Sequence, residues 1–548
     1  MKKTYLALLL PLLIVGCNTT DSDDNTANNG NANNQVAVIQ SADGWAAANG
    51  VVTGGEGASE SHIYTVTTRD ELIEALYGDA NASLSDLPSN EPKIIYISGT
   101  IDLTADASGA SRSEESFMAE CETTFDDYDT FYTAYQNEYD PNVWNNQTLE
   151  NGDPPDPYGE LEEQRDCFQH AQADYIKFRV GSNTSIIGLG DDAEIKFGTL
   201  SLGQSGGEAV QNIIIRNIAF NDAFDMFPAW DPGDSFSIDD DELGVGNCSA
   251  EYISDEQNPN ACPSREGGGR WNSEYDLISV DNAQQVWIDH NYFSDGERTD
   301  DQYPPVFDAP YNAKEQKVQH HDGLIDVTNG ATQVTITYNV FENHDKTNLL
   351  GGSDNTNADR NYGPGSIDVT FHHNYWHNTG QRMPRVRFGR VHVYNNYYSL
   401  NNSDVHAEPY YPMGEAVILG AAAKIFAENN VFEIATEDTE SASAKIVSYK
   451  SKQSKKERCL EYGFTEQECS TYFYSSGNTL DGNNIDLTPI AQEHAESSSS
   501  NAELYIIDPD ATDNYWTPQM VYDYQLQSTS SVKQFVIDNA GTGKIDIQ

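Results

Sequence analysis

The chain has 548 residues, in which 87 Asp and Glu against 30 Lys and Arg leave a formal charge of −57. So acidic a surface repels nucleic acid and anionic lipid, because phosphate binding needs Lys and Arg to displace counterions, and no nucleic-acid partner is expected. With 38% hydrophobic residues, 41 Gly and 31 Tyr, the composition is that of a folded, turn-rich protein and not of an acidic disordered tail.

At the N-terminus, Lys2 and Lys3 precede an apolar run over residues 6–15 that is too short to span a bilayer stably and ends at Gly16-Cys17. This resembles a bacterial lipoprotein signal. The resemblance implies removal of residues 1–16, lipidation of Cys17 and a polar tether over residues 17–40. It also implies an exported protein in the cell envelope, at the outer membrane or cell surface or released from it, touching membrane only through the anchor. The six other cysteines fall into three local clusters. The simplest pairing is Cys121 with Cys167, Cys248 with Cys262 and Cys459 with Cys469, each bridge stapling one loop of an oxidised, exported protein. None has the CxxC spacing of a zinc site.

Residues 41–548 are expected to form a single domain. Thr68 and Glu71 make a capping-box pattern ahead of Leu72, Ile73 and Leu76, which predicts a short amphipathic helix, and a strand is predicted over residues 93–103. A core of apolar, x, apolar, x, x, Asn, x, aromatic then recurs as VWIDHNYF (286–293), VTITYNVF (334–341), VTFHHNYW (369–376), VHVYNNYY (391–398) and IFAENNVF (425–432). A weaker copy, NIIIRNIAF (212–220), precedes them, so the repeated Asn falls at 217, 291, 339, 374, 396 and 430. Alternation marks a short strand with one buried face, and Asn suits the turn after it because it tolerates left-handed backbone.

Such units cannot bury a face alone and must stack. One spacing of only 22 residues fits a rung of a parallel β-helix and is too short for a four-stranded propeller blade. The fold class expected is all-β, a parallel coil whose N-terminal end is covered by the helix near Thr68 and whose far end is covered by residues 531–544. Residues 105–174 and 433–500 lack the repeat and read as long external insertions.

Three segments carry candidate chemistry. Asp276, Asp322 and Asp326 are hard oxygen donors of the kind Ca²⁺ takes. Fully extended, Asp322 and Asp326 would stand roughly 13 Å apart, so sharing an ion requires a bend, which Gly323 makes easy. His344-Asp345-Lys346 follows. Arg382, Arg385, Arg387 and Arg390 then crowd four of the 30 basic residues into nine positions, either to neutralise nearby carboxylates or to form an anion-binding cleft. His290, His321, His344, His372 and His373 read as hydrogen-bonded wall residues, Trp287 as core or wall, and Asp289 as an orienting group. Asp295, Asp300 and Asp301 stay open between solvated loop carboxylates and a further calcium site.

WIDH, HDG-x-x-D, HDK and R-x-P-x-x-RFG occur in the order found in the calcium-dependent pectate lyases, and the chain resembles that family over most of its length from about residue 40. The likeness extends to Ala42-Asp43-Gly44-Trp45, the YTVTTRDELIEAL region, KIIYISGTIDL, NIAFNDAFDMFPAWDP (217–232) and VHVYNNYY. It implies a right-handed parallel β-helix, Ca²⁺ held by Asp276, Asp322 and Asp326, Arg382 as Brønsted base, and Lys346 and Arg387 on substrate carboxylates. The implied substrate is unesterified polygalacturonate, or pectate, and the implied reaction is β-elimination by a monomer. An arginine base carries a consequence: a guanidinium normally stays protonated to about pH 12, so activity should rise well into the alkaline range. Two rivals remain, a polygalacturonase, which needs paired carboxylates and no Arg base, and a non-catalytic β-helical polysaccharide-binding protein or adhesin.

Overall fold

The computed structural model describes residues 43–144, 155–234, 268–309, 311–312, 314–356, 367–511 and 515–547. Cys17, Cys248 and Cys262 lie outside them. Three sheets run the length of a right-handed parallel β-helix. The first has eleven strands from Ile63–Val66 to Leu504–Ile506, the second has eight from Lys177–Val180 to Val447–Tyr449, and the third has ten from Thr100–Asp102 to Asn483–Asn484. Each central turn visits the first, third and second sheets in that order, as in Thr332–Thr337, Val340–Lys346 and Leu349–Leu350.

The repeated asparagine is a stacking residue. The Oδ1 of Asn339 accepts from the Asn291 backbone N–H at 3.0 Å and from its Nδ2 at 3.1 Å. The same pair of bonds passes from Asn339 to Asn374, Asn396, Asn430 and Asn478. These groups are buried and fully partnered, so each link stabilises by about 1 kcal/mol net and fixes the register of successive turns. The aromatic two positions later forms a second ladder, Phe220, Phe293, Phe341, Trp376, Tyr398 and Phe432, with ring centroids 4.4–5.3 Å apart.

Two details differ from the sequence reading. Left-handed backbone falls on the residue before each ladder position, at His290, Tyr338, His373, Asn395 and Asn429. Asn217 is one of these left-handed residues, and its rung's ladder position is Ile218, whose N–H donates to Asn291 Oδ1. Asn serves either role, so spacing alone puts this copy one residue out of register.

The N-terminal helix forms where expected, over Arg69–Tyr77. Thr68 and Glu71 make both capping-box bonds, and Leu72, Ile73 and Leu76 enter the coil's core. The far end is built otherwise. Residues 433–500 are not an external insertion: Val447–Tyr449, Thr471–Ser476 and Thr479–Leu480 add further turns to the coil. The helix Thr488–Glu496 packs on the last strands with Ala491 in the core, and so takes the covering role expected of residues 531–544. The C-terminal helix Thr529–Asn539 instead lies along the third sheet, where Val532 and Val536 pack on Tyr397 and Val431.

Within the segment 105–174 the described residues, 105–144 and 155–174, carry helices where a long external insertion was expected to be loop. Tyr128–Glu138 and Glu160–Ile176 share an aromatic core with Phe227, Trp230, Trp271 and Phe307, and a Cys121–Cys167 disulfide ties this region together. A second disulfide joins Cys459 and Cys469.

Candidate active site

The coil brings the three aspartates to the second sheet and the corner leading into it. Asp326 sits in the strand Ile325–Thr328 beside Ser279, Asp276 lies two residues before the strand Ile278–Asp281, and Asp322 stands at the end of the loop that re-enters this sheet. Ligand oxygens of all three lie within 4.8 Å of one another. The bend between Asp322 and Asp326 is held by backbone bonds, Asp322 N–H to the Tyr275 carbonyl and Leu277 N–H to the Gly323 carbonyl. Gly323 is not in the left-handed region. Its lack of a side chain matters for space: a Cβ there would overlap Asp326 Oδ1 and stand 2.7 Å from Asp276 Oδ1.

The electrostatics of the triad favour a cation. Burial, and then Asp322, push the Asp276 carboxyl up to about 6, and burial with Asp276 and Asp322 pushes Asp326 well above the carboxylate range. Burial also opposes the charge on Asp322, yet Lys346 and Arg382 outweigh it and hold that group below its ordinary value. Three convergent carboxylates cannot all ionise without positive charge among them, and an all-oxygen donor set beside a glycine whose Cβ would crowd two of them fits Ca²⁺.

Lys346 ends the strand Val340–Lys346, and its Nζ donates to Asp322 Oδ1 at 2.5 Å. Arg382 follows the strand Tyr375–Gln381, one turn along, where Gln381 pairs with Lys346. Its own backbone is left-handed (φ 63°), and its carbonyl accepts from Asn348 N–H and Thr347 Oγ1. These bonds hold the residue in a conformation that L side chains seldom adopt. Arg382 Nε is buried without a hydrogen-bond partner, so this guanidinium is not spent on a structural ion pair through that nitrogen.

The other arginines divide between roles. Arg387 is anchored from behind by Asp354 Oδ1 at 2.9 Å and the Gly351 carbonyl at 2.7 Å. Burial, then Arg387 and Arg382, lower Arg385 to about 10. Arg390 forms a two-point pair with Asp368 at 2.8 and 2.7 Å and lies over Trp45, which places it in the neutralising role.

Further groups position the triad: His344 of the HDK segment is hydrogen-bonded as expected of a wall residue, whereas Gln169 and Gln172 carry no motif visible in the sequence. His344 lies 2.8 Å by Nε2 from the Asp322 carbonyl oxygen and 2.5 Å by Nδ1 from Asp295, and so braces one member of the triad. The helix Glu160–Ile176 inserts Gln169 and Gln172 behind the site. Tyr275 Oη donates to the Gln169 carbonyl, Gln169 Nε2 to Glu274 and Gln172 Nε2 to the Phe224 carbonyl, so the helical insertion supports the segment that delivers Asp276. Trp287 is a wall residue under Ala46, Ala47 and Val52. Asp289 orients Arg216 and His290, and His372 and His373 contact each other on the outer wall.

Comparisons with known proteins agree on one family. A family model for pectate lyase matches residues 257–545. A pectate lyase of Bacillus subtilis (strain 168) is 32% identical over the full length of both chains, and pectate lyase E of Dickeya dadantii (strain 3937) is 29% identical over 71% of this chain and 67% of its own. The fold is similar to the solved pectate lyase from Acidovorax avenae subsp citrulli, at TM-score 0.79 and 35% identity, covering 96% of this chain and 99% of that one. It is also similar to a pectate lyase bound to a hexasaccharide, at TM-score 0.67 and 31% identity, covering 94% and 100%. With its parallel coil, its convergent aspartates and these relatives, the chain belongs to the pectate lyase family.

Proposed function

We propose that the protein depolymerises unesterified (1→4)-linked galacturonan by β-elimination with Ca²⁺ as cofactor. The observation that carries this reading is the meeting of Asp276, Asp322 and Asp326 within 4.8 Å of one another, with Lys346 on Asp322 and Arg382 one turn away. The aspartates would hold the ion, and Lys346 and Arg387 would meet substrate carboxylates. Bound there, Ca²⁺ supplies charge neutralisation at the C6 carboxylate, which makes the C5 proton more acidic.

Arg382 accepts that proton. The C5–H electron pair becomes the C4–C5 double bond, the C4–O bond breaks, and the departing sugar oxygen takes a proton from solvent. The lysine and arginines around Arg382 keep the groove attractive to a polyanion despite the net charge of −57. Arg387 is already fixed by Asp354, so it loses little side-chain entropy on binding.

The test is ultraviolet absorbance of polygalacturonate incubated with the protein, first with Ca²⁺ and then with chelator. A calcium-dependent rise, from the double bond conjugated with the carboxylate, is expected, with a rate that increases into the alkaline range. Chain shortening without absorbance would replace this reading with hydrolysis, and binding without shortening would replace it with adhesion. The basic and apolar residues 2–15 ahead of Cys17 support a surface-anchored form; replacing Cys17 by Ser should release the protein from the envelope, and unchanged retention would contradict the anchor.

A further inference from the structure

Residues 402–416 connect the strand Tyr397–Asn401 of the third sheet to Val417–Leu419 of the second. Asn378 Nδ2 donates to the Pro409 carbonyl at 2.9 Å and the Gly414 N–H to the Gly380 carbonyl at 2.8 Å, which fixes this loop on both sides of Tyr411. Tyr411 itself turns inward and is buried. Its Oη donates to Asp295 Oδ2 at 2.6 Å and accepts from the Asp300 N–H at 2.9 Å. Burial, then Asp295 and Asp300, push the phenol well above its ordinary value, so the hydroxyl keeps its proton.

Asp295 passes the contact on. Its other oxygen lies 2.5 Å from His344 Nδ1, and His344 Nε2 lies 2.8 Å from the Asp322 carbonyl oxygen. A carboxylate and a carbonyl only accept, so both ring nitrogens donate. Tyr411, Asp295 and His344, all buried, therefore make a continuous run of hydrogen bonds from the loop to the backbone of Asp322.

A competitor stands beside this run. His321 Nδ1 is buried with no hydrogen-bond partner, 3.7 Å from Asp295 Oδ2, the oxygen that Tyr411 holds. Without the Tyr411 hydroxyl that oxygen would be buried and short of a donor, a costly state that a turn of the carboxylate toward His321 relieves. The same turn draws Asp295 away from His344, and the imidazole then no longer fixes Asp322. Groups one step behind metal ligands set affinity by orienting those ligands.

We infer that Tyr411 and Asp295 are positioning residues for the cation at Asp322, acting through His344, so that the loop 402–416 helps to set calcium affinity. The inference rests on the calcium reading above and adds to it residues outside the aspartate triad.

The experiment titrates Ca²⁺ alone, by calorimetry, into the full-length wild type, Tyr411→Phe, His344→Gln and the double variant. Tyr411→Phe keeps the ring and removes one hydroxyl, and its calcium Kd is expected to rise about five- to tenfold. Because Tyr411 acts through His344, adding Tyr411→Phe to His344→Gln should raise Kd by no more than about a further twofold. A Kd unchanged in Tyr411→Phe, or the full rise repeated in the His344→Gln background, would overturn the inference. Thermal unfolding without calcium checks each fold. If Tyr411→Phe is unfolded, Asp295→Asn replaces it, with a rise of the same size expected and an unchanged Kd again overturning the inference. If the wild type binds no calcium, the calcium reading fails and takes the inference with it, whereas a failure confined to the variants removes the inference alone.

Discussion

Two clusters of acidic groups stand side by side in this molecule and behave in opposite ways. Asp276, Asp322 and Asp326 converge with one lysine between them, and two of the three are pushed up as acids. Asp295, Asp300 and His321 also place their ligand atoms within 4.8 Å of one another, but their charges are already matched. Lys317 sits 2.5 Å from Asp300, and His344 sits 2.5 Å from Asp295. His321 contacts Asp222 at 2.8 Å, and Arg298 holds the other oxygen of Asp222 at 2.7 Å. Burial opposes charge on Asp300 and on His321 alike. Lys317 and His321 nevertheless keep Asp300 far below the carboxylate range, while Asp295 and Asp222 raise His321 to about 10. Carboxylates that carry their own cations are framework; carboxylates left short of positive charge are where a divalent ion has something to do.

The difference can be broken from either side. The largest effect is expected at Arg382, beside the first cluster: Arg382→Lys should lower turnover by up to about ten-thousandfold while polymer and calcium binding persist, read by product absorbance and calorimetry, whereas lost binding with normal residual turnover would refute the role of base. Next is the second cluster. His321→Asn leaves Asp222, Asp295 and Asp300 short of a buried cation and should cost about 3–5 kcal/mol of folding stability in denaturant titrations. His321 has a raised folded value, so its stabilising share is fully present below its ordinary 6.5 and is lost as pH rises toward about 10. The stability of the wild type should therefore decline across that window more steeply than that of the variant, and parallel curves would contradict the pairing. The smallest effect is expected from Gly323→Ala, where the new Cβ would crowd Asp276 and Asp326. Calcium affinity should fall about ten- to hundredfold in calorimetry with little change in calcium-free stability, and unchanged affinity would show that the ion binds elsewhere.

The coil was legible in the sequence because its core obeys a local rule. Apolar alternation, Asn and an aromatic at fixed offsets are set by one rung, so each copy announces itself. The register of the first copy was not, since Asn217 and Asn291 are chemically alike and only the pairing of Ile218 with Asn291 separates them. The last turns escaped for a similar reason: their strands are two to six residues long and only Asn478 continues the ladder. The aspartate triad was named by family resemblance and not by spacing, because Asp276 meets Asp322 and Asp326 through the stacking of turns, which no local pattern encodes. The helical insertion was the least readable part. Its purpose lies in Gln169 and Gln172 meeting Phe224, Glu274 and Tyr275, which are 52 to 106 positions away along the chain but adjacent across the coil's surface.

The most direct measurement is a crystal structure of the Arg382→Lys variant soaked with Ca²⁺ and trigalacturonate. The ion is expected among Asp276, Asp322 and Asp326, touching a uronate carboxylate, with the C5 hydrogen facing residue 382. An ion bound instead among Asp295, Asp300 and His321, or a sugar whose C5 faces away from residue 382, would contradict the account.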